Sequence, residues 1–239
     1  MKTLVEFKER LKEITEKNLR DEQLQFVWEL MKSPYVEFHY DLLKDRTLPP
    51  EFRRDLKARF DEHGEEAETF LINKLNNKED PEFQGEIIFI LGKINKKYKT
   101  EILTHTRDLA ESPDDDIREK ALIVLGWVGT MKDTKILQEH LLNDTRPECR
   151  AWSASSYMQM WFGKKSEELK RKAWGAYQIA LNEETDRFVT ATVLTAVREM
   201  GNTKLGISQM ALNQLDAEKI EAAKAKAIRF LNKQLKKVS

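Results

Sequence analysis

Four ten-residue segments of this chain can be laid over one another without gaps: LNNKEDPEFQ (75–84), LAESPDDDIR (109–118), LLNDTRPECR (141–150) and LNEETDRFVT (181–190). Each opens on a leucine, passes through an acidic turn and ends where an apolar run begins. The offsets are 34, 32 and 40 residues, and a looser fifth copy, LPPEFR, ends at Arg53. A period in this range marks one supersecondary unit used repeatedly. Such a unit cannot bury its own apolar face and has to stack on its neighbours.

The match strengthens downstream of each segment. Three residues beyond its end stand Leu56, Ile87, Ala121, Ser153 and Val193; seven beyond stand Phe60, Leu91, Leu125, Tyr157 and Val197. Eleven beyond stand Gly64, Asn95, Gly129, Trp161 and Gly201. These steps trace one face of an α-helix, called helix A here. Glycine or asparagine at the eleventh position suits a left-handed C-cap, from which Trp161 departs. A second helix, B, is marked by Phe70-Leu71-Leu75, Ile102-Leu103-Leu109, Ile136-Leu137-Leu141, Leu169-Ala173-Ala176-Ile179 and Leu205-Ile207-Leu212. In the stretch from Leu109 to Gly129, Leu109 closes one helix B and Pro113 with the aspartates forms the turn. Asp114 or Asp115 N-caps the next helix A, where a carboxylate is worth about 0.3–1 kcal/mol against the helix dipole.

An acidic turn, proline, acid, apolar residue and arginine, then alanine, leucine and glycine at helical spacing, resembles the HEAT repeat in its short bacterial form. Residues 109–129 and 141–158 match best, while Gln84 and Thr190 replace the arginine in degenerate units. The resemblance covers roughly 47–214. It implies an all-α, right-handed α-solenoid (armadillo-type) of about five helical hairpins, with helices A outside and helices B on the concave side. The expected organisation is a single domain, 1–239: an N-terminal helical cap (1–46), HEAT-like repeats (47–214) and a C-terminal capping helix (215–239). In the caps, Thr3 and Glu6 resemble a capping box, Asp21 opens a second helix, Ser33-Pro34 a third, and Asp216 the last.

Composition agrees with this reading. Nine glycines and six prolines in 239 residues leave few turn signals for a strand-rich fold. Charged residues make up 34% and balance to a formal net charge of zero, with a pI of 6.9, so the bulk charge carries no nucleic-acid footprint. A single cysteine, Cys149, excludes an intramolecular disulfide. The charged N-terminus reads as neither signal peptide nor anchor, and no apolar run approaches the ~20 residues that span a bilayer. A soluble, cytoplasmic protein is expected.

A search for chemistry finds no catalytic set. His39, His63, His105 and His140 show no metal-ligand spacing and read as solvated surface residues; His105 and His140 fall on corresponding helices B. Cys149 occupies an apolar slot and reads as buried and inert. Arg118 and Arg150 read as ties between a turn and its neighbour. The acidic turns line one edge, and Lys93, Lys96, Lys97, Lys132, Lys135, Lys164 and Lys165 fall on the opposite turns, so the neutral chain is polarised. Trp127 and Trp152 stand where other repeats carry polar residues, as seals between helices A or as exposed anchors. Trp28, Trp161 and Trp174 fit the core stripes.

The expected function is non-enzymatic protein binding by an α-solenoid. One concrete form is an immunity or antidote protein that blocks a toxin enzyme through its polarised surface, the partner being a basic toxin or nuclease domain. The alternative is a HEAT-like alkylpurine DNA glycosylase or other nucleic-acid-binding enzyme, with a bilin lyase ranked lower; nucleic acid and membrane are disfavoured as partners. The candidate partner-binding residues are Asp80, Glu82, Asp114, Asp115, Asp116, Trp127, Asp144, Glu148 and Trp152. No catalytic residue, cofactor or metal is assigned, and the oligomeric state stays open.

Overall fold

The computed structural model describes residues 2–17 and 19–236. Among them every regular element is helical, and none is long and apolar enough to cross a membrane. The chain divides into two compact units, Met1–Ile102 and Leu103–Ser239.

The first unit holds α1 (Leu4–Glu16), α2 (Arg20–Leu30), α3 (Val36–Lys44), α4 (Pro50–Arg59), α5 (Glu65–Asn76), α6 (Gln84–Ile94) and the first residues of α7 (Lys99–Ala110). Thr3 and Glu6 form the expected capping box, each side chain receiving the other's backbone N–H. Asp21 does not open its helix. α2 starts at Arg20, with Leu19 before it offering no side-chain cap. Pro34 likewise precedes α3. The Ser33 hydroxyl accepts from the Tyr35 N–H at 3.2 Å and donates to the Leu30 carbonyl at 2.7 Å, which closes α2 onto the following turn. Aromatic rings carry this core: Phe7, Phe26, Phe52, Phe60 and Tyr40 are all fully buried, in edge-on pairs such as Phe7–Phe26 at 5.5 Å. Edge-on pairing sets the positive rim of one ring against the negative face of the next.

The second unit adds α8 (Asp115–Val128), α9 (Thr134–Asn143), α10 (Pro147–Lys164), α11 (Glu167–Glu183), α12 (Arg187–Gly201), α13 (Gln209–Asn213) and α14 (Ala217–Lys236). Helix α10 packs between α8 and α12, and α11 packs between α9 and α14. That is the two-layer stacking of an α-solenoid, with A helices in one layer and B helices in the other. The ten positions three and seven residues beyond the repeat segments are all fully buried, Leu56 and Phe60 through Val193 and Val197. Helix α8 approaches α10 so closely that a Cβ on Gly126 would lie 2.9 Å from the Ser156 Cα. The Ser156 hydroxyl donates to the Leu122 carbonyl at 2.7 Å across that contact. The buried Tyr157 and Tyr177 hydroxyls donate to the carbonyls of Thr134 and Ala154, so these large side chains leave no polar atom stranded.

Two sequence expectations change here. Leu205, Ile207 and Leu212 do not form the fifth helix B. They belong to a connecting stretch that ends in the five-residue α13, and α14 takes the B position beside α11 and α12. The eleventh-position rule holds only in part. Asn95 is left-handed and Gly64 has φ 62°, but Gly129 is extended (φ −63°) and Gly201 lies inside α12. These two glycines answer to space. A Cβ on Gly129 would meet the Leu125 carbonyl oxygen, and one on Gly201 would sit 2.8 Å from the Phe230 ring. The left-handed caps that follow α10 and α12 are Lys165 and Asn202.

Candidate functional site

Position four of each repeat segment, filled by Ser112, Asp144 and Glu184 in the second unit, organises the turn that follows. Each side chain accepts the backbone N–H two residues on, from Asp114, Arg146 and Asp186 respectively. Position six N-caps the next helix A. Asp114 accepts from Asp116 and Ile117, and Asp186 from Phe188 and Val189. Position ten supplies the tie that was expected of Arg118 and Arg150. The Arg118 guanidinium grips the Asp144 carboxylate through Nε (2.7 Å) and Nη2 (3.0 Å) and donates to the Ser112 carbonyl. Arg150 repeats the arrangement on Glu184 at 2.7 and 3.2 Å, donating to the Asp144 carbonyl. Bidentate guanidinium–carboxylate pairs fix orientation as well as distance. Here they lock each joint to the next.

Asp144 is therefore a structural carboxylate. Burial raises its carboxyl pKa, but hydrogen bonds from Arg118, the Arg146 N–H and His140 outweigh burial and hold it at about 2. His140 is buried, not solvated, with Nδ1 2.8 Å from Asp144 Oδ2. His39 is also buried: Nε2 contacts the Leu56 carbonyl at 3.0 Å and Nδ1 lies 2.9 Å from His63 Nε2. A carbonyl only accepts, so Nε2 carries the proton of neutral His39 and Nδ1 faces His63 as an acceptor. Burial, with the neighbouring imidazole, drops the His39 pKa to about 3. Cys149 is fully buried, and desolvation pushes its thiol up to about 12. No group of three or more His, Cys, Asp or Glu among the described residues is placed to hold a metal.

The candidate residues fall into separate places. Asp80, in the first unit, accepts from the Tyr40 hydroxyl and Lys44, both at 2.8 Å, and Glu82 beside it is exposed. In the second unit, Asp115, Asp116 and Glu148 converge with Glu119 around one guanidinium, that of Arg146. Its nitrogens lie 3.7 Å from Asp115, 3.1 Å from Asp116, 3.7 Å from Glu119 and 3.2 Å from Glu148. Trp152 joins this cluster, its indole N–H donating to Glu119 at 3.1 Å. Trp127 stands near the far end of α8, about 17 Å from Asp116 along the helix, and is 39% exposed. Asp114 is occupied as a cap. Trp174 is core, whereas Trp28 is 47% exposed with the Arg59 guanidinium 4.6 Å from its ring centre.

Trp152 also forms one wall of a groove of about 400 Å³ between α10, α12 and α13, with Met158, Phe188, Thr192, Leu212 and Leu215. Sequence reasoning missed two residues here, and both break the repeat register. Arg146 occupies position six, where the other segments carry Asp80, Asp114 and Asp186. It gives up the side-chain cap of α10 and reaches into the preceding repeat's aspartates instead. Phe188 occupies position eight, where the others carry Glu82, Asp116 and Glu148, and is 41% exposed.

The family model for HEAT repeats matches residues 68–158. No curated protein and no solved structure matches the chain.

Proposed function

We propose that this HEAT-repeat protein is a non-enzymatic binding protein, whose second unit takes a basic segment of a partner protein. The observation that carries this reading is the junction at Trp152. On one side of the indole lies an apolar groove, and on the other four carboxylates gather around the Arg146 guanidinium, with Arg118 also paired to Asp115 at 2.6 Å. A partner that inserts an apolar side chain beside Trp152 and brings lysine or arginine to Asp115, Asp116, Glu119 and Glu148 satisfies both.

Other polar groups of the joint are committed elsewhere. Asp144, held at about 2, has no proton to donate near neutral pH, and Cys149, at about 12, offers no thiolate. HEAT repeats serve protein interaction, which supports a binding role. An immunity or antidote protein against a basic toxin or nuclease domain is the finer form that fits the charge of the junction.

Capture from the native host, paired with binding to double-stranded DNA at low and moderate salt, tests the reading. The expected outcome is a stoichiometric basic protein and no salt-dependent DNA binding. Tight DNA binding that weakens steeply with salt would transfer the assignment to the glycosylase alternative.

A further inference from the structure

Helix α10 has 18 residues, so its carboxyl end lies about 27 Å from the acidic joint. A different surface is assembled there. The end of α10 and the turn after it present Trp161, Phe162, Lys164 and Lys165, and the turn into α9 with that helix's first residues presents Lys132 and Lys135, these four lysines all exposed. Lys164 Nζ donates to the Gly129 carbonyl at 2.8 Å, which sets the two turns side by side.

Phe162 is 46% exposed at the end of a helix whose remaining apolar residues are largely covered. Lys165 adopts a left-handed conformation, φ 49°, where glycine or asparagine is the ordinary occupant. Its ammonium lies 4.0 Å from the centre of the Trp161 ring and 4.4 Å from that of Phe162; Lys170 approaches the Trp161 ring to 5.2 Å. The nearby acids give little neutralisation. Asp133 is buried and bound to Arg107 at 2.6 Å, and Glu167 reaches Lys170 only at 3.9 Å.

We propose that this edge is a second interaction surface, built for an acidic segment of another protein that carries an apolar side chain onto Phe162. Two features favour a protein over a nucleic acid. The ammonium groups of Lys165 and Lys170 lie over the Trp161 ring, whereas base stacking needs an open ring face. An exposed phenylalanine flanked by lysines matches the apolar-centre, charged-rim composition of protein interfaces. The chain then has two oppositely charged docking surfaces at the two ends of α10, one for a basic and one for an acidic segment. The second surface does not depend on the first.

The test uses the full chain and a labelled peptide of alternating glutamate and leucine, read by fluorescence anisotropy beside a single-stranded oligonucleotide of equal charge. The peptide is expected to bind saturably, and to weaken as salt rises from about 50 to about 300 mM. The triple variant K132E/K135E/K165E, which spares the Lys164 tie, lowers its affinity roughly tenfold or more. Phe162→Ala, at an exposed position that leaves folding intact, lowers it several-fold. Absence of saturable peptide binding overturns the proposal. So does tighter binding of the oligonucleotide, or wild-type affinity in the triple variant. None of these results bears on capture at the Trp152 junction.

Discussion

Arg118→Met removes the guanidinium that joins two repeats and keeps the aliphatic stem in place. The Asp144 side chain it grips is 2% exposed, and that of Arg118 is 11% exposed. Removing one partner of a buried pair strands a charge, at a typical cost of about 3–5 kcal/mol. Asp144 keeps its bonds from His140 and the Arg146 N–H, so a loss of about 3 kcal/mol is expected. With a urea m-value of about 2 kcal/mol/M, the unfolding midpoint falls by roughly 1.5 M, followed by far-ultraviolet circular dichroism. Asp144→Asn costs less, because Arg118 keeps the Asp115 carboxylate at 2.6 Å and the Ser112 carbonyl at 2.8 Å. The double variant R118M/D144N removes both charges and destabilises by less than the sum, with a coupling energy of about 2 kcal/mol. Strictly additive effects would refute the joint as a coupled unit. So would a loss in R118M below about 0.5 kcal/mol, the level of an ordinary surface ion pair.

Three further outcomes follow from named contacts. Gly126→Ala forces a methyl group against the Ser156 backbone at the α8–α10 crossing, and thermal unfolding should show a loss of about 1–3 kcal/mol. His39 is buried neutral, with its pKa lowered from 6.5 to about 3. The unfolded chain therefore binds the proton first, and the stabilisation is complete above the unfolded pKa and lost as pH falls towards the folded one. Stability should drop by about 2 kcal/mol between pH 7 and pH 5, a slope that His39→Asn flattens in pH-dependent urea titrations. The Glu68 side chain, fully buried, accepts the backbone N–H groups of Lys96, Lys97 and Tyr98. Glu68→Gln removes the charge and sets an amide NH2 against the Lys97 N–H that Oε2 accepts at 2.9 Å, and should cost about 1–3 kcal/mol by the same unfolding assay.

What the sequence made legible was whatever recurs. Helical spacing marked Leu56, Phe60, Val193 and Val197 as core because they recur on one face of each helix A. The Asp114 cap and the Arg118 and Arg150 ties were readable for the same reason: local chemistry repeats at a fixed offset. Departures from the repeat were less accessible. The stretch around Leu205 and Leu215 holds both residues at positive φ, a strain that only packing against the helices around it can impose. No local pattern announces it. The burial of His39 and His140 depends on elements 17 and 4 residues away in sequence, Leu56 and Asp144, and a histidine count says nothing of that. Trp28 fits a core stripe by spacing, yet it lies on the surface beneath Arg59. At the candidate site the useful signal was the broken rule. Arg146 replaces a capping aspartate, and Phe188 replaces an exposed acid. Which acids Arg146 gathers became visible only once adjacent repeats were stacked.

Binding at the Trp152 junction is tested most directly by calorimetric titration of the captured host protein against three forms of the chain: wild type, Trp152→Ala and the K132E/K135E/K165E variant. Loss of about 2 kcal/mol in W152A, close to thirtyfold in affinity, with the lysine variant unchanged, is the expected result. Equal affinity for wild type and W152A would contradict it.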